Sequence, residues 1–253
     1  MKERLLLLAL LMLGSGPVWA EQPAECRVAE NLLESSFRLP QVTRAIAAKH
    51  LTVLVMGAGS SQLPGPNGSN GAGNAYPVRL QQALAQQLPG VDVKVTTDVK
   101  AKRTAAEMVK GLPAALSATK PALLVWQTGT VDAMLSIDPD QFSHALDKGI
   151  NIAHSAGTDV VLINAQYSPR TESMIALGTY AEDMRWVALQ HEVPVFDRFS
   201  IMKLWGELGT FDLYSATKKL DIAERVHDCI GRLLADLVIT AAKPEEPPVN
   251  GSR

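Results

Sequence analysis

Two pairs of residues in this chain have the types and spacing for nucleophilic acyl chemistry. Ser60 and Ser61 follow the apolar run LTVLVMG (51–57) and a glycine turn, which suits a serine nucleophile offered at the end of a strand. Near the other end, Glu224 stands three residues before His227, a spacing at which a carboxylate can orient an imidazole as general base. The same spacing on a continuous helix also describes an ordinary surface face, with both side chains fixed by helix geometry. A third segment, LLVWQTGTVDAM (123–134), leads from a buried apolar stretch into Gly129-Thr130-Val131-Asp132. Thr130 and Asp132 bring polar groups to that loop, whereas Val131 between them has no hydrogen-bond donor.

Other chemistries find less support. The loop GAGSSQLPGPNGSNGAG (57–73) is glycine-rich, but Gln62 sits where a dinucleotide fingerprint needs its third glycine. It also lacks the Gly-Lys-Ser/Thr of a phosphate loop, so no nucleotide cofactor is expected. His50, His144, His154, His191 and His227 show no spacing that converges on a metal, and there are only two cysteines. The sequence therefore implies neither a metal nor a cofactor.

The chain opens MKERLLLLALLMLGSGPVWA, with Lys2 and Arg4 before a short apolar run and Val18-Trp19-Ala20 at its end. This pattern is that of a cleavable secretory signal over residues 1–20, and the apolar run is too short to span a bilayer. No later stretch approaches a membrane-spanning length, so a periplasmic or secreted protein with no integral membrane segment is expected. Removing Lys2, Arg4 and Glu3 with the leader leaves 22 basic and 25 acidic residues, no electrostatic basis for nucleic-acid binding. Cys26 and Cys229 lie near opposite ends of the mature chain. In an oxidising compartment they favour one bridge from the N-terminal segment to the last helix, the alternative being two buried thiols.

The elements that must position these residues alternate. Strands are predicted at 51–57, 91–97, 121–127, 158–165 and 193–197. Helices are predicted at 76–88, 104–116 (interrupted near Gly111-Leu112-Pro113), 142–156, 174–191, 199–208 and 220–241. Such alternation implies an α/β domain with a parallel sheet of about five strands, covered on both faces. Residues 21–50 would pack on this 51–241 domain, and the tail 242–253 is too poor in apolar residues to pack. In parallel sheets, sites form beyond the carboxyl ends of the strands, here the loops after residues 57, 97, 127, 165 and 197. Trp126, Trp186 and Trp205 read as core or interface residues.

Together these pieces resemble the SGNH/GDSL hydrolases. The resemblance is carried by VLVMGAGSS with Tyr76-Pro77, by LLVWQTGTVDA, by INAQYSP (163–169) and by DCIGRLLADLV (228–238). It implies a flavodoxin-like three-layer α/β/α sandwich and ester hydrolysis. The family's chemistry uses a serine nucleophile, oxyanion donors from a Gly amide and an Asn side chain, and a C-terminal Asp-x-x-His. This chain departs from each. With Gly57 as the first-block glycine, the nucleophile position falls on Gly59; with Gly59 as that glycine, it falls on Ser61. The second-block glycine is replaced by Lys100-Ala101-Lys102-Arg103, and the Asn position is Val131. Aligned through the last helix, the Asp and His positions become Lys218 and Asp221.

Losing one oxyanion donor costs ~10²–10³ in turnover and losing a triad member about 10⁴–10⁶. Several such losses together predict an exported SGNH/GDSL-like protein of impaired catalysis, whose cleft binds a carbohydrate or acyl-ester group through Gly59, Thr130, Asp132, Gln166 and Asp221. The alternative is an active serine esterase with a rebuilt site, in which Ser61 or Ser60 attacks and His227 is the base oriented by Glu224.

Overall fold

A computed structural model describes residues 23–64, 70–71, 74–214 and 220–243 of the chain. The proposed leader, Lys218 and residues 244–253 of the tail lie outside the described residues. The strands are β1 (His50–Gly57), β2 (Leu63–Pro64), β3 (Asn70–Gly71), β4 (Asp92–Val99), β5 (Leu123–Gln127), β6 (Asp159–Ile163) and β7 (Val195–Phe196). The helices are α1 (Pro40–Ala47), α2 (Tyr76–Gln87), α3 (Ala105–Thr119), α4 (Thr130–Met134), α5 (Pro139–Ser155), α6 (Pro169–Glu172), α7 (Leu177–Gln190), α8 (Arg198–Glu207) and α9 (Leu220–Ala241).

Five strands form one parallel sheet in the order β4-β1-β5-β6-β7, and β2 pairs with β3 in a separate antiparallel ribbon. Every residue of β5 and β6 is buried, as a central parallel strand covered on both faces requires. One face carries α3, α5 and α7. Trp126 of β5 donates its indole N–H to the Met108 sulfur of α3, and its ring fills the space beside Gly149 of α5, where a Cβ would come within 2.3 Å of it. The other face carries α2 and α9, which approach so closely that a Cβ on Gly231 would meet the Leu80 backbone at 2.8 Å. The architecture is an α/β/α sandwich, as the alternation of apolar strand-length runs and helix-period segments predicts.

Residues outside the central domain are tied to it. Cys26 and Cys229 form a disulfide with Cα atoms 4.9 Å apart, joining the N-terminal segment to α9. The Leu39 amide donates to the Ala241 carbonyl, and Ala242, placed in the tail by sequence, is buried. At the start of α1, the Asp159 carboxylate accepts from the amides of Gln41 and Val42 at 2.7 and 3.0 Å.

Three local expectations change. Helix α3 runs unbroken through Pro113, which lies on its exposed side. Leu112 and Leu116, on either side of it, stay anchored in the core. The Gly129 loop winds at once into the short helix α4, because Gly129 takes φ 93°, a conformation that costs glycine little. The helix expected over 174–191 begins three residues later, as α7, and a separate short helix α6, opened by Pro169 and capped by Ser168, precedes it. Trp126 and Trp205 are core residues, whereas Trp186 is 60% exposed.

Candidate functional site

The carboxyl ends of β1 and β6 open on a cavity of about 360 Å³. Gly59, Ser60, Gln166, Ser168 and His227 lie in its wall together with the apolar Leu63, Met202, Leu213 and Val226. A wider groove of about 780 Å³ opens at the amino ends of the strands, beside Thr52, Pro121 and Thr158. It lacks the strand-end loops that bring reactive groups together.

Gly59 opens a single 3-10 turn over Gly59–Ser61, and a Cβ built on it would meet only the Ala101 Cβ, at 4.0 Å. Ser61, the candidate nucleophile of one reading, is buried at 1% exposure. Its hydroxyl donates to Gln127 Oε1 at 2.8 Å, so at the Tyr76–Ser61 contact of 3.0 Å the Tyr76 hydroxyl is the donor. Burial pushes the Tyr76 phenol up to about 12, which keeps that proton in place. Ser60 also donates to Gln127 Oε1, at 2.9 Å, although it stands in the cavity wall. Both serine hydroxyls are thus directed to one amide oxygen at the end of β5.

His227 lies on α9 and reaches the same cavity, but its ring is held differently from a general base. The Tyr76 backbone amide donates to His227 Nδ1 at 3.0 Å. A neutral imidazole that accepts at Nδ1 carries its proton on Nε2, so that nitrogen is a donor. A base for serine needs the opposite tautomer, with Nδ1–H held by a carboxylate and Nε2 free to accept. Burial, and secondarily the Arg198 charge, lower the His227 pKa well below the ordinary histidine value, so the neutral ring persists. Glu224 does not orient it: its carboxylate accepts from the Asn74 side chain at 2.8 Å. The expected Glu224–His227 relay is absent in this arrangement because another donor occupies each partner.

The remaining expected residues separate into supports and bystanders. Asp132 is buried behind the cleft, where its two oxygens accept the Ala105 amide at 3.0 and 3.2 Å and so cap α3. Burial raises its pKa, against the opposing pull of those bonds. Val131 is partly buried and packs against the core. Thr130 accepts the Gln166 amide through its hydroxyl at 3.4 Å, linking the loops after β5 and β6. Asp221 is exposed on the first turn of α9, away from the cavity wall. At the second block, Lys102 takes φ 63° without a glycine, and Arg103 bonds Asp98 at 2.9 Å and the Gly57 carbonyl at 3.3 Å.

Arg198 and Gln127 were not singled out from the sequence. Arg198 is fully buried behind the cleft. Its guanidinium donates to the Ser60 carbonyl at 2.9 Å and to Gln166 Oε1 at 3.0 Å, and it lies 5.8 Å from the centre of the Tyr76 ring. Its Nε has no partner among the described residues. The loop around it is rigidly built: Asp197 accepts from Asn164, the Ser200 amide and Arg185, and Asn164 in turn accepts the Phe199 amide at 2.8 Å. Burial works against ionisation of Asp197, but these donors hold its pKa below the usual carboxylate value. Burial depresses Arg198 to about 10, which leaves it cationic at neutral pH. The available signals were a lone arginine directly after the last strand and a polar residue closing the apolar run LLVWQ.

Known proteins can now be set beside this geometry. Residues 25–244 match the non-GDSL lipase-like family. The chain belongs to that family. Among curated proteins, this non-GDSL lipase-like chain is 31% identical to the esterase TesA of Pseudomonas aeruginosa over 138 residues. The match covers 54% of the chain and 65% of that esterase, slightly under two thirds of the relative's length. The crystal structure of TesA superposes with a TM-score of 0.58 at 24% identity, over 74% of this chain and 99% of that one. An acetylxylan esterase from Geobacillus stearothermophilus gives 0.58 at 17% identity, over 77% and 95%. A two-domain esterase active on acetylated mannans gives 0.65 at 12% identity, over 87% and 58%. These structures share the fold, and the family places the chain among the SGNH/GDSL hydrolases. Among the described residues, no group of His, Cys, Asp and Glu could hold a metal, and no helix is long and apolar enough to cross a membrane.

Proposed function

We propose that this member of the non-GDSL lipase-like family is an exported binding protein with impaired catalysis, whose strand-end cleft takes a carbohydrate or acyl-ester group. The observation that carries this reading is the bond from the Tyr76 amide to His227 Nδ1, which leaves the only histidine in the cavity wall as a donor. Gly59, without a side chain at the turn after β1, and Val131 in the third block support it. The leader-like residues 1–20 and the Cys26–Cys229 bridge support export. The cavity suits small acyl or sugar groups, having both apolar residues and the polar Ser60, Gln166 and Ser168 in its wall. Esters of acetylated xylan and mannan are what two proteins of this fold act on.

A second reading retains an esterase with Ser60 attacking and His227 as base, and it is favoured by their sharing one cavity wall. It requires His227 to turn away from the Tyr76 amide and Ser60 to release Gln127. Turnover of p-nitrophenyl acetate by the purified protein and by Ser60→Ala, Ser61→Ala and His227→Ala variants separates the two. The binding reading expects the same background rate in all four folded proteins. Wild-type turnover abolished by both Ser60→Ala and His227→Ala would establish the esterase instead.

A further inference from the structure

Arg198 is a full positive charge enclosed behind the cleft, and its bonded partners are neutral. It contacts a backbone carbonyl, an amide oxygen and the face of an aromatic ring, while Nε has no partner among the described residues. The neighbouring acid, Asp197, is committed to Arg185, Asn164 and the Ser200 amide. Buried charges are ordinarily paired with an opposite charge, because desolvating a lone ion is costly. Two groups that accept from Arg198, Ser60 and Gln166, also form part of the cavity wall. On that wall His227 presents a neutral ring whose proton is on Nε2, and Ser168 adds a hydroxyl. The same lining also carries apolar side chains, Leu63, Met202, Leu213, Leu220 and Val226. This space therefore combines polar groups backed by a cation that has no counterion among the described residues with a hydrocarbon lining.

We infer that the cleft binds a carboxylate bearing an apolar chain, with the headgroup against Ser60, Gln166 and His227 in the field of Arg198 and the chain along Leu63, Met202 and Val226. This inference rests on the reading of the cleft as a binding site and narrows its ligand from an ester to a free acid. A neutral ester satisfies the hydrogen-bond donors of the wall but leaves the buried charge uncompensated. A carboxylate does both. Arg198 acts from behind the wall, as a positioning charge and not as a ligand contact.

The test is calorimetric titration of the purified protein with hexanoate, methyl hexanoate, hexanol, glucuronate and glucose. Hexanoate is expected to bind at least ~10-fold more tightly than hexanol or methyl hexanoate, since a charge pair shielded from water gains more than a dipole. Arg198→Lys should retain a preference for the acid, and Arg198→Met should bring the ratio of hexanoate to hexanol affinity to about one. If Arg198→Met does not fold, the ratio of hexanoate to hexanol in wild type and Arg198→Lys carries the test. Equal binding of hexanoate and its neutral analogues would overturn the anionic inference and leave the cleft reading intact. Binding of glucuronate over glucose without binding of hexanoate would overturn the apolar-chain part alone. Failure of all five ligands to bind would count against both the inference and the cleft reading beneath it.

Discussion

The loop after β5 and the turn after β1 both resemble the sequence blocks of ester hydrolases, yet they have kept different things. The β5 loop retains what holds the chain in shape. Gly129 takes a positive φ, and Asp132 turns inward to cap α3 through the Ala105 amide. What it lacks is the side-chain donor, because Val131 stands there and packs against the core. The β1 turn shows the converse: its serines are present, but Gln127 Oε1 receives both hydroxyls, and Gly59 has no side chain to react. A loop can thus preserve a family's backbone while losing its chemistry, and a turn can preserve hydroxyls without freeing them. The presence of a reactive residue type and its availability are separate properties.

The sharpest way to break this contrast is to remove the structural residue of the β5 loop. Asp132→Ala leaves the Ala105 amide buried without an acceptor, while the Thr104–Glu107 capping box of α3 stays in place. A loss of about 2 kcal/mol is expected, from the unsatisfied buried donor. Urea denaturation should show it as a lower midpoint at unchanged slope. If Asp132→Ala were as stable as wild type, Asp132 would not be a structural residue, and the separation of roles between the two loops would fail.

His227 gives a pH-dependent test of the same separation. Its pKa in the folded protein is depressed by burial and by Arg198, whereas an unfolded histidine titrates near 6.5. The folded state thus binds fewer protons than the unfolded state below that pH. The stability from the neutral ring is complete above about pH 6.5 and is lost as pH falls, by about 1.4 kcal/mol per pH unit until the folded pKa is reached. His227→Gln, which keeps an oxygen to accept the Tyr76 amide, should flatten this acid limb. Denaturation midpoints between pH 7 and 5 compare the two slopes. Parallel slopes would mean that His227 titrates freely, as a working base could.

The order of elements was legible because it rests on periodicity. Apolar strand runs and helical spacing fixed the five strands and the covering helices, and the strand-end loops followed from parallel topology. Local exceptions arose where one residue's surroundings outweighed its propensity. Pro113 was tolerated because it faces water, and Ala242 was buried by contacts with the N-terminal segment. At the site, residue types were legible and their partners were not. The bond that decides the tautomer of His227 comes from an amide 151 residues away. Arg198 was invisible for a related reason. Arginine is ordinarily a surface residue, and only the fold shows that this one is enclosed while the neighbouring acid, Asp197, bonds other groups.

Restoring a hydroxyl at the β1 turn is the smallest perturbation and the most direct comparison of presence with availability. A Cβ on Gly59 has open space around it, with its nearest neighbour at 4.0 Å, and the residue does not need a positive φ. Gly59→Ser should therefore fold with stability within ~0.5 kcal/mol of wild type, the range of substitutions that disturb no packing. It would supply a side chain where one alignment of the first block puts the nucleophile, while Val131 and the donor tautomer of His227 remain. Turnover of p-nitrophenyl acetate is expected to stay at background, because an unactivated hydroxyl is a weak nucleophile near neutral pH. Should Gly59→Ser alone produce ester turnover that a further His227→Ala change abolishes, His227 would be able to turn and serve as base. The missing side chain at Gly59 would then be the main defect, and the difference between the two loops would reduce to a single residue.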